Sequence, residues 1–101
     1  MKITVKSPVW DDLRKIGIYI ARDDPAAAHR FFLATKRAFG LFRRHPGIGR
    51  LRSFSQPGIR SFPVPGFGNY LVFYLPLQME IQILAVLHGA QDLEPLMRER
   101  L

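Results

Sequence analysis

Residues 7–46, SPVWDDLRKIGIYIARDDPAAAHRFFLATKRAFGLFRRHP, decide the fold, because they carry the same helix-start signal twice. Ser7-Pro8 and Asp24-Pro25 each set a side-chain acceptor before a proline, which suits an N-cap followed by the first helical residue. The first signal opens a helix that ends near Arg22, with Asp11 and Asp12 expected as favourable acids at its start. Val9, Trp10, Leu13, Ile16, Gly17 and Ile20 share one arc of its wheel. In the second helix Ala28, Phe31, Phe32, Thr35, Ala38, Phe39 and Phe42 form the apolar stripe, while Arg30, Arg37 and Arg44 recur every seven residues on the other side. His45-Pro46-Gly47 stops it, since the residue before a proline is pushed out of helical geometry. Two helices joined this closely make an αα-hairpin.

Working outward, Lys2 to Lys6 alternates with Ile3 and Val5 on one side, as a half-buried strand does. Beyond the hairpin, Ile48 to Gly68 is rich in glycine and proline. There Pro63 and Pro65 confine the extended piece Ile59 to Val64 to an edge or bulged strand. Asn69 to Leu75 and Met79 to Leu87 are β-branched and aromatic runs joined by Pro76-Leu77-Gln78, which predicts a hairpin. Apolar residues on both sides of the first run imply that both faces of the sheet are covered, one by the helices and one by something else. Asp92 to Leu101, with Leu93, Leu96 and Met97, forms at most a short helix that is marginal alone. The expectation is one α+β domain over residues 1–101: an N-terminal strand, a helical hairpin on one face of a small antiparallel sheet, and a short C-terminal helix or tail.

Composition narrows the function. The chain has 101 residues, no cysteine and a net charge of +7. It contains no disulfide or thiolate metal site, which suits a reducing cytoplasm. Its start lacks the apolar core of a signal peptide, and its longest apolar stretch is too short to span a bilayer. Arginine outnumbers lysine 11 to 4, and no Asp or Glu occurs between Asp24 and Glu80. A field of that sign favours an anionic partner, and arginine in particular pairs with carboxylate and phosphate through a planar fork. No phosphate loop, dinucleotide fingerprint or zinc-protease motif is present, so no cofactor is expected. His29, His45 and His88 have no metal-ligand spacing, so no metal is expected either. Cleavage of RNA through its 2′-hydroxyl would draw on Arg60, His88 and Tyr70, which supply a cation and acid–base groups. His88 fits a strand-end backbone contact equally well, and Tyr70 and Tyr74 fit packing.

At this point the chain resembles the ParE toxins of type II toxin–antitoxin systems, a branch of the RelE/ParE superfamily. The likeness covers nearly the whole chain. It rests on WDDLRKIGIYIARDDPAAAHRFF (10–32), FRRHPGIGRLR (42–52), GIRSFPV (58–64), NYLVFY (69–74) and IQILAVLHGAQDL (81–93). The resemblance implies a cytoplasmic bacterial toxin that stabilises a plasmid or chromosome, neutralised by a ParD-like antitoxin in a hetero-oligomeric complex. Operator DNA would be reached only through the antitoxin. For several ParE toxins the target is DNA gyrase, whereas RelE relatives cleave messenger RNA in the ribosome. Family members commonly carry arginine where this chain has Ala85, and often where it has Gln91. In RelE-like nucleases an arginine in the last strand steadies transition-state charge, so its absence tilts the expectation away from an enzyme and towards a gyrase-binding toxin. An acidic, amphipathic antitoxin tail is expected to meet Arg37, Arg44, Arg50, Arg52, Arg60, Tyr70 and Tyr74. The tail segment with Leu93, Leu96, Met97 and Arg98 is the expected target contact, because marginal elements rearrange easily.

Overall fold

A computed structural model describes all residues, Met1–Leu101. Strand β1 (Lys2–Val5) leads into helices α1 (Ser7–Ala21) and α2 (Pro25–Arg44). Strands β2 (Arg50–Leu51), β3 (Arg60–Val64), β4 (Phe67–Pro76) and β5 (Glu80–His88) follow, and helix α3 (Leu93–Arg100) ends the chain. The sheet order is β1-β5-β4-β3-β2. Strands β2 to β5 pair antiparallel as expected, while β1 joins beside β5 in parallel, with Lys2 opposite Glu80 and Val5 opposite Ile83. The sheet is therefore mixed. The parallel pairing follows from chain path: the whole helical hairpin and three strands separate β1 from β5, ample length for a crossover.

The second start signal works as read. Asp24 is extended and its side chain accepts from the Ala27 N–H at 3.1 Å, with Pro25 opening α2. The first signal is displaced by one residue. Lys6 occupies the cap position without a side-chain bond, and Ser7 is already helical. Asp11 and Asp12 consequently lie in the second turn, outside the reach of first-turn dipole stabilisation.

One core lies between the hairpin and the sheet, built on Val9, Phe31, Ala38, Phe42, Val72, Tyr74, Ile81 and Ile83. Phe31 meets Phe67 and Tyr70 edge-to-face at centroid distances of 5.3 and 5.4 Å. Phe32 and Trp10 depart from the expected stripe: both are exposed, Trp10 to 59%. Phe32 lies across Gly17 instead, so close that a Cβ there would meet its ring.

The opposite face holds a second core of Ile59, Phe73, Leu75, Leu84, Ala85, Leu87 and Met97. Its cover is α3 together with Phe54 and Ile59 of the long connection before β3. The register of β4 on β5 slips between Phe73 (opposite Ala85) and Tyr74 (opposite Ile83). Leu84 is the extra residue, and the bulge lets both Leu84 and Ala85 enter the second core. The register of β3 also shifts between Pro63 and Val64, past the end of two-residue β2, where a strand tolerates proline.

Candidate functional site

Of the arginines predicted from sequence, Arg44, Arg50 and Arg60 lie around the turn where α2 hands over to β2, whereas Arg37 lies two turns back on α2, in a depression with Arg30 and Phe67. Arg43 and Arg44 close α2, the chain reverses over 45–49, and Arg50 begins the edge strand. The reversal is fixed from below. The Tyr74 hydroxyl donates to Pro46 O at 2.7 Å and accepts from the Gly49 N–H at 2.8 Å. Arg60 Nη1 donates to Gly49 O at 2.8 Å and more weakly to Gly47 O at 3.3 Å. Gly49 is required here: a Cβ would stand 2.7 Å from the Tyr74 hydroxyl and 2.9 Å from Ser61 O. Tyr74 itself stacks on Phe42 at 3.9 Å between centroids, 12° from parallel. Burial raises its pKa, with the Gly49 bond and the Arg60 charge acting in the lowering direction.

These contacts sort the expected antitoxin residues. Tyr74 is fully buried, so it leaves the set of surface contacts; a phenol whose donor and acceptor roles are both filled by backbone packs inside instead. Arg60 is occupied in holding the turn. Arg52 donates to Ser61 Oγ at 3.1 Å and lies over the Phe54 and Phe73 rings at 5.6 and 5.5 Å. Its pKa is lowered by burial and by the neighbouring charge of Arg50. Arg37, Arg44 and Arg50 remain exposed and form no ion pair, since the three pairs of the molecule use Arg14, Arg30 and Arg100.

Tyr70 and His88 lie elsewhere. They face each other across β4 and β5, with ring centroids 5.1 Å apart. Both line a groove of about 570 Å³ between α1, β5 and α3, with Tyr19, Gln91 and Leu96. Burial, then Tyr19, pushes the Tyr70 pKa up, which keeps its phenol protonated at neutral pH and unfit as a base. His88 Nδ1 accepts from the Ala90 N–H at 3.0 Å, and the His88 backbone N–H donates to Gln91 Oε1 at 3.1 Å. It therefore caps the strand end. Arg60 sits opposite Tyr74, four residues along β4 from Tyr70, which at strand rise is about 13 Å. The fold does not bring the nuclease trio together. No cluster of His, Asp or Glu has the makings of a metal site.

The expected target contacts on α3 divide too. Met97 is buried to 1% exposure in the second core, and Leu93 and Leu96 are half-buried against it; only Arg98 faces solvent. An amphipathic segment turns its apolar side to whatever surface its own chain supplies, and here that surface is the second sheet face.

Two features escaped the sequence reading. Asp12 is 8% exposed and holds Arg100 in a bidentate pair, Nη2 to Oδ1 at 2.6 Å and Nη1 to Oδ2 at 3.0 Å. The same carboxylate accepts from the Val86 N–H at 3.0 Å, and Arg100 also donates to Leu84 O at 2.9 Å. Strand β1 stops pairing where Lys6 N–H meets Ile83 O. The two side chains continue the ladder beyond it, satisfying backbone groups that would otherwise be orphaned. Their 88-residue separation left no local signal. The second feature is an apolar groove of about 600 Å³ in the α1–α2 face, where Trp10, Leu13, Phe32 and Phe39 lie beside Arg14 and Lys36.

The fold is α+β, and the basic turn after α2 is held from inside by Tyr74 and Arg60. Residues 3–93 match the family described as ParE toxin of type II toxin–antitoxin system, parDE, and the chain belongs to that family. No curated protein matches it in sequence. Among solved structures it is similar to a chain of the chromosomal ParDE toxin–antitoxin system from P. aeruginosa: TM-score 0.70, 19% identity, 87% of this chain and 95% of that chain covered. At that identity the likeness concerns the fold. No helix is long and apolar enough to cross a membrane.

Proposed function

We propose that this chain inhibits growth by binding and poisoning DNA gyrase in the cytoplasm, and that a ParD-like antitoxin neutralises it in a hetero-oligomeric complex. The observation that carries this reading is the family match over residues 3–93 of a chain whose arginine surface has no internal counter-charge. An acidic antitoxin segment that folds on binding would set its carboxylates against Arg37, Arg44 and Arg50, with Arg52 and Arg60 at their margin, and would meet Tyr70 separately, at its own groove. Its apolar side chains need a concave seat, and the Trp10–Phe32–Phe39 groove offers one. The target would be met by the outer surface of α3 around Arg98.

The separation of Arg60 from the His88–Tyr70 pair supports a non-enzymatic toxin over a ribosome-dependent mRNA endonuclease. Supercoiling by purified gyrase should fall as toxin is titrated to micromolar concentration, and gyrase unaffected at that level would sink the proposal. Primer extension on translated message should show no new cleavage ends. Ends that vanish with Arg60→Ala and His88→Ala would restore the nuclease.

A further inference from the structure

Tyr19, Tyr70 and His88 line one groove of about 570 Å³ together with Lys15, Gln91 and Glu99. A cavity of that size takes a small organic ligand. Its apolar lining comes from Ile16 of α1, Val86 and Leu87 of β5, and Leu96 of α3.

The hydrogen-bonding state of each polar group there follows from its neighbours. His88 Nδ1 accepts from the Ala90 N–H, so the neutral ring carries its proton on Nε2, as a donor. Gln91 spends Oε1 on the His88 backbone N–H and keeps its amide N–H groups. Among the tyrosines only Tyr74 has its hydroxyl bonded within the chain, so those of Tyr19 and Tyr70 stay free. Burial keeps the Tyr70 phenol protonated at neutral pH. Lys15 and Glu99 are in no ion pair. Asp12 and Arg100, by contrast, are spent on each other and on the backbone of β5. The free groups are therefore mostly donors, with the Glu99 carboxylate as the anionic acceptor.

Rings accompany these donors. Tyr70 is wedged edge-to-face between Phe31 at 5.4 Å and His88 at 5.1 Å, whereas Tyr19 on α1 is 64% exposed. A large ring left in water beside a groove gains when another flat ring is laid on it. A flat ring with acceptors along its edge and a few N–H groups matches the whole set, and that is the chemistry of a nucleobase. Unstacked bases lie on aromatic side chains and are bonded along their edges. A peptide strand does not fit. Asp12 holds the Val86 N–H, and Gln91 bonds both the N–H and the carbonyl of His88, so β5 has no ladder to offer here. A bare anion gains little, since Glu99 stands against Lys15 in the same lining.

We propose that this groove binds one unpaired nucleobase, stacked on Tyr19 and bonded along its edge by Tyr70, His88 and Gln91. The base belongs either to a free nucleotide or to an unpaired position in a strand. Arg60, the cation of the nuclease reading, stands about 13 Å away along β4, so a strand held here is bound without being cut. An antitoxin contact at Tyr70 would close the groove.

The test is isothermal titration calorimetry of the full chain with guanosine 5′-monophosphate, whose ring N–H groups suit the Glu99 carboxylate. Saturable binding is expected, with ribose 5-phosphate at least about fivefold weaker because it lacks the base. Tyr19→Ala, at an exposed position, should keep the parental melting temperature and lose at least about fivefold in affinity. Tyr70→Phe keeps the packed ring, loses the hydroxyl and should bind more weakly than the parent. Arg98→Gln, on the outer side of α3, should bind like the parent. A short single strand and an abasic strand of equal length separate the two sources. Binding of the mononucleotide assigns the groove to free nucleotides, and binding confined to the strand that carries bases assigns it to an unpaired base. No binding of either, or equal binding of the abasic strand and ribose 5-phosphate, would overturn the proposal. So would a folded Tyr19→Ala variant that binds as the parent does. The assay contains neither gyrase nor antitoxin, so its failure leaves the gyrase reading untouched, and a failed supercoiling assay leaves this one untouched.

Discussion

The two faces of the sheet bury the same kinds of side chain yet hold their covers by different means. The hairpin face is closed by two long helices whose aromatic residues interlock with the sheet, Phe31 against Phe67 and Tyr70, and Phe42 against Tyr74. Its cover is held by apolar area. The other face is closed by an eight-residue helix that places Met97 inside and Leu93 and Leu96 partly inside. A helix that short is unstable by itself. It stays because Arg100 reaches the carboxylate of Asp12 on α1 and the Leu84 carbonyl on β5. Apolar packing is distributed and forgiving, whereas a buried ion pair concentrates its contribution in one contact whose loss strands a charge.

The contrast can be broken or sharpened by substitution. The largest effect is expected from Phe31→Ala, which empties the centre of the hairpin core and should lower unfolding free energy by about 3 to 5 kcal/mol in a denaturant titration. A loss under about 1 kcal/mol would mean that apolar area does not hold that face. Next is Asp12→Ala, expected to cost about 3 kcal/mol because it leaves Arg100 unpaired and the Val86 N–H without an acceptor. Asp12→Asn keeps an acceptor for Val86 and should cost less. Additivity of Asp12→Ala with Arg100→Met would dissolve the clip, since groups in contact couple. Met97→Ala should cost about 2 kcal/mol. Its diagnostic sign is hydrogen exchange, with faster exchange in α3 and unchanged protection in α1 and α2. Equal loss of protection in all three helices would make the two faces one cooperative unit.

A smaller effect belongs to the turn between the faces. Tyr74→Phe removes the bonds to Pro46 and Gly49 while keeping the stack on Phe42, and should cost about 1 to 2 kcal/mol. The smallest is a pH effect. Tyr70 and Tyr74 both have folded pKa values raised by burial above the ordinary tyrosine value. The neutral form is the one folding favours, so their contribution is complete below about pH 10 and is lost as pH rises through the folded values. An alkaline stability profile should fall in that range, and Tyr74→Phe should make the fall shallower. A profile that does not change with the substitution would remove Tyr74 from the explanation.

Much of the hairpin side was legible in the chain. Asp24-Pro25 fixes the start of α2 by chemistry within four residues, and the apolar period of Phe31, Ala38 and Phe42 fixes its inner side. The doubly apolar run around Phe73 foretold a second cover. The site was legible only in part. Arginine composition pointed to an anionic partner and to Arg37, Arg44 and Arg50, yet it gave no means of telling free arginines from Arg52 and Arg60, which the fold consumes. Tyr74, an aromatic in a strand, carries no mark of which backbone groups its hydroxyl will find. Trp10 shares the apolar arc of α1 on a wheel but is exposed, because the hairpin crosses there over Gly17 and Phe32 rather than over the indole.

Neighbouring residues and the pattern of the whole chain were enough for the helices, the four longer strands, their order, the unbalanced positive charge and membership in the ParE toxin family, but not for the two-residue β2. Long-range contacts alone set β1 parallel to β5, make Tyr74 the anchor of a turn, and let Asp12 and Arg100 finish a ladder. Each of these joins groups between 25 and 88 positions apart. Such partners are chosen by which backbone groups remain unpaired once the sheet has formed, a condition that no local pattern of residues encodes.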